Sequence, residues 1–188
     1  MSHDGRLLRN PGAGEELRFL ETANATGGSL LVAELTMIPG AKGPVPHVHS
    51  NQEERFEILE GRARFKVGRE RFDRGSGDTV VAPPGVGHGF RNPFDEQLQV
   101  RITWTPAGDL EHFFENLFGL AADGKVNARG APSLQQIALI IEAHPESPGH
   151  LVGIPLFIQR PLLKTMAALG RRAGLKGSYP EYCSHLPR

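Results

Sequence analysis

Two histidines separated by one residue are the first residues of the sequence that could do chemistry. They are His47 and His49, in the segment PVPHVHSNQEE. Alternate residues of a β-strand project to the same side, so the two imidazoles would lie about 6–7 Å apart along a strand. Imidazoles from one strand can reach a common metal ion at about 2.0–2.1 Å each. An HxH pair in a polar loop is nevertheless more often incidental than ligating, so further ligands have to support a metal site.

A carboxylate follows the two histidines. Glu54 opens the segment ERFEILE, in which it shares the alternation of Phe56 and Ile58. If these apolar residues face the interior, Glu54 faces it too, and a buried carboxylate is costly without a partner. A metal ion is one natural partner. Glu53 could replace Glu54 as the ligand, but Glu54 lies on the better face of the strand and is preferred.

A third histidine, His88, lies about forty residues further on, in the segment PPGVGHGFRN. Pro83 and Gly85 are turn residues, and their expected role is to aim His88. Asn92 is expected to fix a turn rather than to contact a substrate. His88 is therefore a third histidine that could act as a ligand.

Together, these two segments resemble the two motifs of the cupin family. The first motif is written G(X)5HXH(X)3–4E(X)6G and the second G(X)5PXG(X)2H(X)3N. The second motif matches at every fixed position, and the first departs only at its opening glycine, where this chain has Ala41 with Gly40 and Gly43 nearby. The matching residues are His47, His49, Glu54, Gly61, Gly77, Pro83, Gly85, His88 and Asn92. The resemblance covers roughly residues 28–106.

The resemblance implies a cupin jelly-roll, a double-stranded β-helix that forms a small antiparallel barrel with a metal inside its mouth. In metal-binding cupins, the two histidines and the glutamate of the first motif and the histidine of the second bind the metal. The implied ligands are therefore His47, His49, Glu54 and His88. Mixed nitrogen and oxygen ligation suits one divalent transition metal, which could be Fe, Mn, Ni, Co or Zn.

Five residues are candidates for a substrate pocket beside this metal. Phe56, Ile58, Phe65 and Phe90 would supply apolar walls, although core positions explain each of them equally well. Arg101 would supply a polar contact if it pointed into the cavity. The alternation of QLQVRITWTP, however, favours a solvent-facing position for Arg101.

The resemblance also implies an activity of the quercetin 2,3-dioxygenase type. Such an enzyme is a metal-dependent oxygenase that acts on a small organic molecule, such as an enol or a diketone, with dioxygen. In similar dioxygenases the ligand glutamate takes a substrate proton, and Glu54 would be that catalytic residue here. Two alternatives stay open. One is a metal-dependent isomerase, which would need basic residues in the pocket, and the other is a non-catalytic module that binds or senses a small molecule.

The pattern of apolar residues changes along the chain. From about residue 5 to 106, short apolar or alternating segments separated by turn residues predict strands. The apolar positions of residues 110–118 recur at helical spacing instead. Ser133 begins an S-x-x-Q capping box, which predicts a second helix, and a third helix is predicted to begin near Pro161.

We therefore predict an all-β barrel over residues 1–107. Residues 108–188 are predicted to be a helical C-terminal extension that packs on the barrel. A length of 188 residues suits one domain with such an extension. Exposed strand edges in this fold favour a homodimer.

Composition limits the partners and the compartment. The 21 basic and 21 acidic residues balance, so no electrostatic case exists for nucleic acid or an anionic membrane surface. No apolar run reaches the length of a membrane span, and the polar N-terminus lacks the apolar stretch of a signal peptide. The single cysteine, Cys183, rules out an internal disulfide and favours the cytoplasm.

The remaining candidate residues have no pattern that points to chemistry. His112, His144, His150 and His185 show no ligand spacing among them and are expected at the surface or at an interface. Cys183 has no defined base partner, so it is assigned no catalytic role.

Overall fold

Strands dominate the first part of the chain and helices the last. The computed structural model describes residues 5–145 and 149–183, and within these ranges it has eleven strands and three helices. The strands are β1 (Leu7–Asn10), β2 (Glu15–Glu21), β3 (Leu31–Met37), β4 (His47–Val48), β5 (Glu53–Glu60), β6 (Arg62–Val67), β7 (Glu70–Gly75), β8 (Thr79–Ala82), β9 (His88–Arg91), β10 (Leu98–Thr105) and β11 (His150–Leu151). The helices are α1 (Leu110–Ala122), α2 (Leu134–Ala143) and α3 (Leu156–Arg172).

The strands form two antiparallel sheets. One sheet has the order β1-β2-β3-β10-β5-β8, and the other has the order β11-β4-β9-β6-β7. The predicted antiparallel β-structure with a helical C-terminal part is confirmed. The predicted closure into a barrel is not, because the edge strands of the two sheets are not joined to each other in the described part of the chain. The apolar inner faces bury each other as two packed layers, and this requires no closure.

Phenylalanine rings join the two sheets in the core. Phe56 of β5 lies across from Phe65 of β6 and Phe90 of β9, with ring centroids 5.4 Å and 5.2 Å away. Phe65 and Phe90 stack on each other at 5.5 Å. All three rings are buried. The rings point into the core because alternate residues of each strand share a face. They lie on the core side of the histidines described below.

Helix α2 begins at a side-chain cap, whereas α3 begins without one. The backbone amide of Gln136 donates to Ser133 Oγ at 3.1 Å, so the predicted cap of α2 is confirmed. The predicted start of α3 at Pro161 is wrong, because the helix begins at Leu156 and contains Pro161 in its interior. Proline has no backbone N–H, so the helix lacks the hydrogen bond that residue 161 would donate to the carbonyl of Phe157.

The first helix packs directly on the strands. Leu110 and Phe118 of α1 belong to the same buried cluster as the apolar residues of the sheets, and Phe114 lies 5.3 Å from Trp104 between ring centroids. Helices α2 and α3 pack on each other through a separate cluster that includes Leu139 and Ala167. The division at residues 107 and 108 stays a prediction. Among the described residues, no helix is long and apolar enough to cross a membrane.

Candidate metal centre

Three strands from both sheets bring the predicted ligands together. His47 lies on β4, whose antiparallel pairing with β9 places it opposite His88. His49 follows β4 directly. Glu54 comes from β5 in the other sheet, where it is paired with Ala82 and Trp104 on its two sides. The four side chains therefore converge from opposite layers of the fold.

The four residues form a tight cluster. Each offers one ligand atom, and these atoms all lie within 4.8 Å of one another. Glu54 Oε1 lies 2.7 Å from His49 Nε2 and 3.5 Å from the Nε2 atoms of His47 and His88. His49, Glu54 and His88 are buried, whereas the His47 side chain keeps 19% of its surface exposed. Access from solvent is therefore on the His47 side of the cluster.

Backbone carbonyls orient two of the imidazoles. His47 Nδ1 lies 2.8 Å from the carbonyl oxygen of Val45, and His88 Nδ1 lies 2.9 Å from that of Val86. A carbonyl oxygen only accepts, so each Nδ1 carries a hydrogen and donates. In the neutral ring, Nε2 then presents a lone pair to the centre of the cluster. This second contact of a ligand histidine is typical of metal sites.

The inward-facing nitrogen atoms lack protein partners. Among the residues that the structure describes, His49 Nε2 and His88 Nε2 are buried and have no hydrogen-bond partner, although Glu54 Oε1 lies 2.7 Å from His49 Nε2. A buried polar atom without a partner is costly. Lone pairs that face a carboxylate also repel it unless a cation lies between them. Three imidazoles and one carboxylate with converging atoms therefore fit a divalent transition metal.

The electrostatics of the cluster point the same way. Burial by itself raises the pKa of Glu54, but the adjacent His47, His49 and His88 outweigh it and hold that pKa well below the ordinary value. Burial lowers the pKa of His88, and the Glu54 carboxylate more than offsets this, so the net direction is upward. The site therefore holds an ionised carboxylate and draws positive charge toward it.

The apolar pocket candidates lie beneath the cluster. Phe56, Ile58, Phe65 and Phe90 are all buried in the main hydrophobic core. The Phe56 ring lies 6.2 Å from the His88 ring between centroids. Phe56 therefore adjoins the site, and whether any of the four contacts a substrate stays a prediction.

Arg101 lies on the opposite face of its strand, so its assignment to the pocket is corrected. Its guanidinium lies 2.9 Å from Glu34 and 3.3 Å from Glu57, and these glutamates are its register partners on the two neighbouring strands. The alternation that buries Ile102 and Trp104 turns Arg101 outward.

Turn residues of the two motifs fix the backbone around the four-residue cluster. The amide of Gly85 donates to the carbonyl of His49 at 2.8 Å, which ties the second motif to the first. The buried side chain of Asn92 donates to the carbonyls of Ile38 and Glu96, so it holds a turn as expected. Gly43 has a φ of 63°, and a Cβ there would lie 2.2 Å from the carbonyl oxygen of Phe90. Position 43 therefore requires glycine. It lies two residues after Ala41, which occupies the place of the opening glycine of the first motif.

A second cluster of chemically active side chains was not predicted. His112 and Glu115 of α1 lie next to Cys183. One nitrogen, oxygen or sulfur atom of each of the three residues lies within 4.8 Å of those of the other two. His144 is buried nearby rather than at the surface, and its Nε2 lies 3.4 Å from Asn116 Nδ2. The prediction that Cys183 lacks a base partner is therefore wrong. The sequence gives no local signal for this cluster because His112 and Cys183 are distant in the chain.

The last two histidines from the sequence analysis are placed differently. His150 is half-buried on β11, which pairs with the ligand strand β4. His185 lies outside the described residues.

Comparison with known proteins identifies the family. The family model described as "Cupin domain" matches residues 33–106, and this range contains all four clustered residues. These residues are a cupin domain. The chain therefore contains a cupin domain, which spans most of β3 and all of β4 to β10, including the strands that carry the His/Glu cluster.

Individual relatives of this cupin are distant. A curated protein of Hypocrea virens, "Probable oxidoreductase virH", is 28% identical over 152 residues, which is 76% of this chain and 69% of that protein. An RmlC-like cupin from Shewanella frigidimarina is 21% identical, with a TM-score of 0.48 over 57% of this chain and 88% of that one. A predicted oxalate decarboxylase from Thermotoga maritima is 18% identical, with a TM-score of 0.47 over 54% of this chain and 99% of that one.

Proposed function

We propose that this cupin is a metal-dependent oxygenase of the quercetin 2,3-dioxygenase type, acting on a small enol- or diketone-like molecule with dioxygen. One observation carries the proposal. The Glu54 carboxylate lies among three imidazoles whose converging nitrogens include two that are buried without a hydrogen-bond partner. A divalent transition metal bound there would act as a Lewis acid toward a substrate oxygen and leave positions for substrate and dioxygen.

The histidines would act as a rigid frame. Backbone carbonyls fix the rings of His47 and His88 through Nδ1, so the two Nε2 atoms need no rotation to bind. Buried phenylalanines, of which Phe56 is nearest to His88, exclude water from the inner side of the site. Exclusion of water strengthens the charge interactions within the site.

Glu54 would have two roles, as a ligand and as a general base. Its lowered pKa keeps it ionised at neutral pH, which a base requires before it accepts a proton. The proton would come from the hydroxyl or the acidic carbon of the bound substrate and go to a carboxylate oxygen of Glu54. Glu53, the alternative carboxylate, is exposed and outside the cluster.

The alternative activities have less support. An isomerase acting on charged sugars would need a basic residue in the pocket, but Arg101, the candidate for that role, pairs with Glu34 and Glu57 on the outer face. The similarity to a probable oxidoreductase favours redox chemistry over isomerisation. A module that binds metal and small molecules without turnover differs from the oxygenase only in its activity, so experiment has to separate the two.

The test is oxygen uptake by one purified sample. Metal-free protein is loaded in turn with Fe, Mn, Ni, Co and Zn, and uptake is measured with flavonols, diketones and hydroxy acids. We expect uptake with at least one redox-active metal and its loss in Glu54→Gln, while the matched Glu53→Gln variant keeps it. Stoichiometric metal with no uptake from any combination would overturn the oxygenase and favour the non-catalytic module.

The assembly and the compartment stay predictions from the sequence. A homodimer is expected, and light scattering on the purified protein after size exclusion measures the mass directly. A cytoplasmic location is expected, and fractionation of the cells that make the protein tests it.

A further inference from the structure

The second cluster, defined as His112, Glu115, Asn116 and Cys183, has the arrangement of an activated thiol. His112, Glu115 and Asn116 lie three and four residues apart on α1, so they share one face of the helix. Cys183 approaches that face from the C-terminal segment. The ligand atoms of His112, Glu115 and Cys183 all lie within 4.8 Å of one another.

Glu115 holds the His112 ring. The Nδ1 atom of His112 lies 3.0 Å from Glu115 Oε2. Glu115 is completely buried, and its other oxygen accepts from Arg6 at 3.1 Å. A ring nitrogen of His112 lies within 4.8 Å of Cys183 Sγ as well. A nucleophile, a base and a third group that orients the base together make up the general pattern of an activated nucleophile.

The Cys183 sulfur also accepts a contact from a side-chain amide. Asn116 Nδ2 lies 3.6 Å from Cys183 Sγ. This amide is held in place because Asn116 Oδ1 accepts from the backbone amide of Tyr179 at 2.8 Å. Cys183 itself is only partly buried, so a small reagent can reach it. The sulfur is therefore positioned by protein groups and is still open to solvent.

We propose that Cys183 is a reactive thiol activated by His112, and a site of reversible thiol–disulfide modification. The thiol proton is held by His112, and Cys183 Sγ attacks one sulfur of a low-molecular-weight disulfide. The disulfide bond breaks, a new S–S bond forms to Cys183, and the second thiolate leaves and takes up the proton. Cys183 is oxidised and the small disulfide is reduced, so the step needs no other reagent.

The charges around the cluster support this role. The contacts with Cys183 and with Glu115 raise the pKa of His112 to about 10, although burial opposes them. His112 therefore places a positive charge within 4.8 Å of the sulfur. Among the described residues, Arg6 binds Glu115, and His144, whose Nδ1 lies 3.8 Å from Asp109, lies 6.5 Å from His112 between ring centroids.

The competing explanation of the same residues is a second metal ion. Cysteine, histidine and glutamate are all zinc ligands. Glu115, however, is occupied by Arg6 and His112, and a metal would have to displace one of them. The geometry therefore favours the thiol, and metal binding is one outcome of the test.

Because the sequence has a single cysteine, every thiol adduct reports on Cys183. Metal-free protein is incubated with oxidised glutathione, and mass spectrometry follows the mixed disulfide over time. The rate is compared with that of the same chain unfolded in urea. We expect the folded protein to react about tenfold faster, because a neighbouring cation activates a cysteine.

Variants separate activation from mere exposure. His112→Gln is expected to lose most of the rate advantage, and circular dichroism confirms that it folds. The matched control His150→Gln, outside the cluster, is expected to keep the advantage. An equal rate in folded and unfolded wild type, or an unchanged rate in His112→Gln, overturns the proposal. So does Zn²⁺ retained in a His47→Ala/His49→Ala variant and lost on substitution of Cys183→Ser.

Discussion

His49 Nε2 and Glu54 Oε1 lie 2.7 Å apart in the buried four-residue cluster, yet His49 Nε2 has no hydrogen-bond partner in the described part of the chain. The Nε2 atoms of His47 and His88 each lie 3.5 Å from the same oxygen. Such an approach is stable when a cation is shared. The Glu54 carboxylate is therefore expected to be essential for metal binding.

Glu54→Gln should weaken metal binding by at least about 100-fold. Loss of a residue that hydrogen-bonds a metal ligand lowers the affinity by about 10–100-fold, and loss of the ligand itself should cost more. Metal content after dialysis and titration with Zn²⁺ both measure this. Glu53→Gln is the matched control, since Glu53 is adjacent in sequence but exposed. Equal affinities in the two variants would contradict the assignment of Glu54.

Phe56 joins the ligand site to the core, so its truncation should cost stability. Its ring lies near those of Phe65, Phe90 and His88. Phe56→Ala should lower the free energy of unfolding by about 3–5 kcal/mol, through lost burial and a residual cavity. Urea unfolding measures the change. Val81→Ala, at a partly exposed position of β8, should change it by less than about 1 kcal/mol.

Gly61 is required by both conformation and space. Its φ is 75°, and a Cβ there would lie 2.1 Å from the carbonyl oxygen of Gln97. Backbone strain alone would cost about 1 kcal/mol in Gly61→Ala. The close approach should make the loss of stability larger than this. Gly27→Ala is the control, since Gly27 has a similar φ of 62° with no atom within 4 Å of an added Cβ. If both variants lose the same stability, the close approach at Gly61 has no role.

Glu15 should make stability fall as the pH rises. It lies on the core-facing side of β2 with Leu17 and Phe19, and burial raises its pKa from 4.5 to about 7. The folded state therefore binds the Glu15 proton more tightly than the unfolded state does. The contribution of this proton to the stability of the fold is complete below pH 4.5 and is lost as the pH rises through 7.

Glu15→Gln should accordingly stabilise the protein at alkaline pH, by about 1–2 kcal/mol given that Glu15 is only half-buried. Thermal unfolding at several pH values measures this, and the gain should vanish at acid pH. Glu16→Gln is the control, because that residue is in an exposed ion pair with Arg9. A gain that is equal at all pH values would exclude titration of Glu15 as its cause.

Arg101 should prove dispensable to the site. Because it pairs with Glu34 and Glu57 on the outer face, Arg101→Gln should leave metal content unchanged. The variant should lose less than about 1 kcal/mol of stability, as is usual for exposed ion pairs. A loss of metal in Arg101→Gln would show that the residue reaches the site after all.

Local patterns were sufficient for much of the fold. Strand alternation placed Glu54 with Phe56 inside, and turn residues marked where His88 enters its strand. The S-x-x-Q pattern located the cap of α2, since the contact from Gln136 to Ser133 spans three residues. Closure of the sheets and the start of α3 were not predictable in this way. They depend on how distant segments pack, and Pro161 is compatible with a helix interior at the cost of one hydrogen bond.

The sequence by itself indicated which four residues form the cluster, through the spacing of the two motifs and their resemblance to those of cupins. Only the tertiary structure decided how the imidazoles of His47 and His88 are oriented, since the carbonyls of Val45 and Val86 act through backbone geometry. It alone also brought His112 and Glu115 to Cys183. Contacts between segments distant in the chain depend on the packing of whole elements, and no local period encodes that packing.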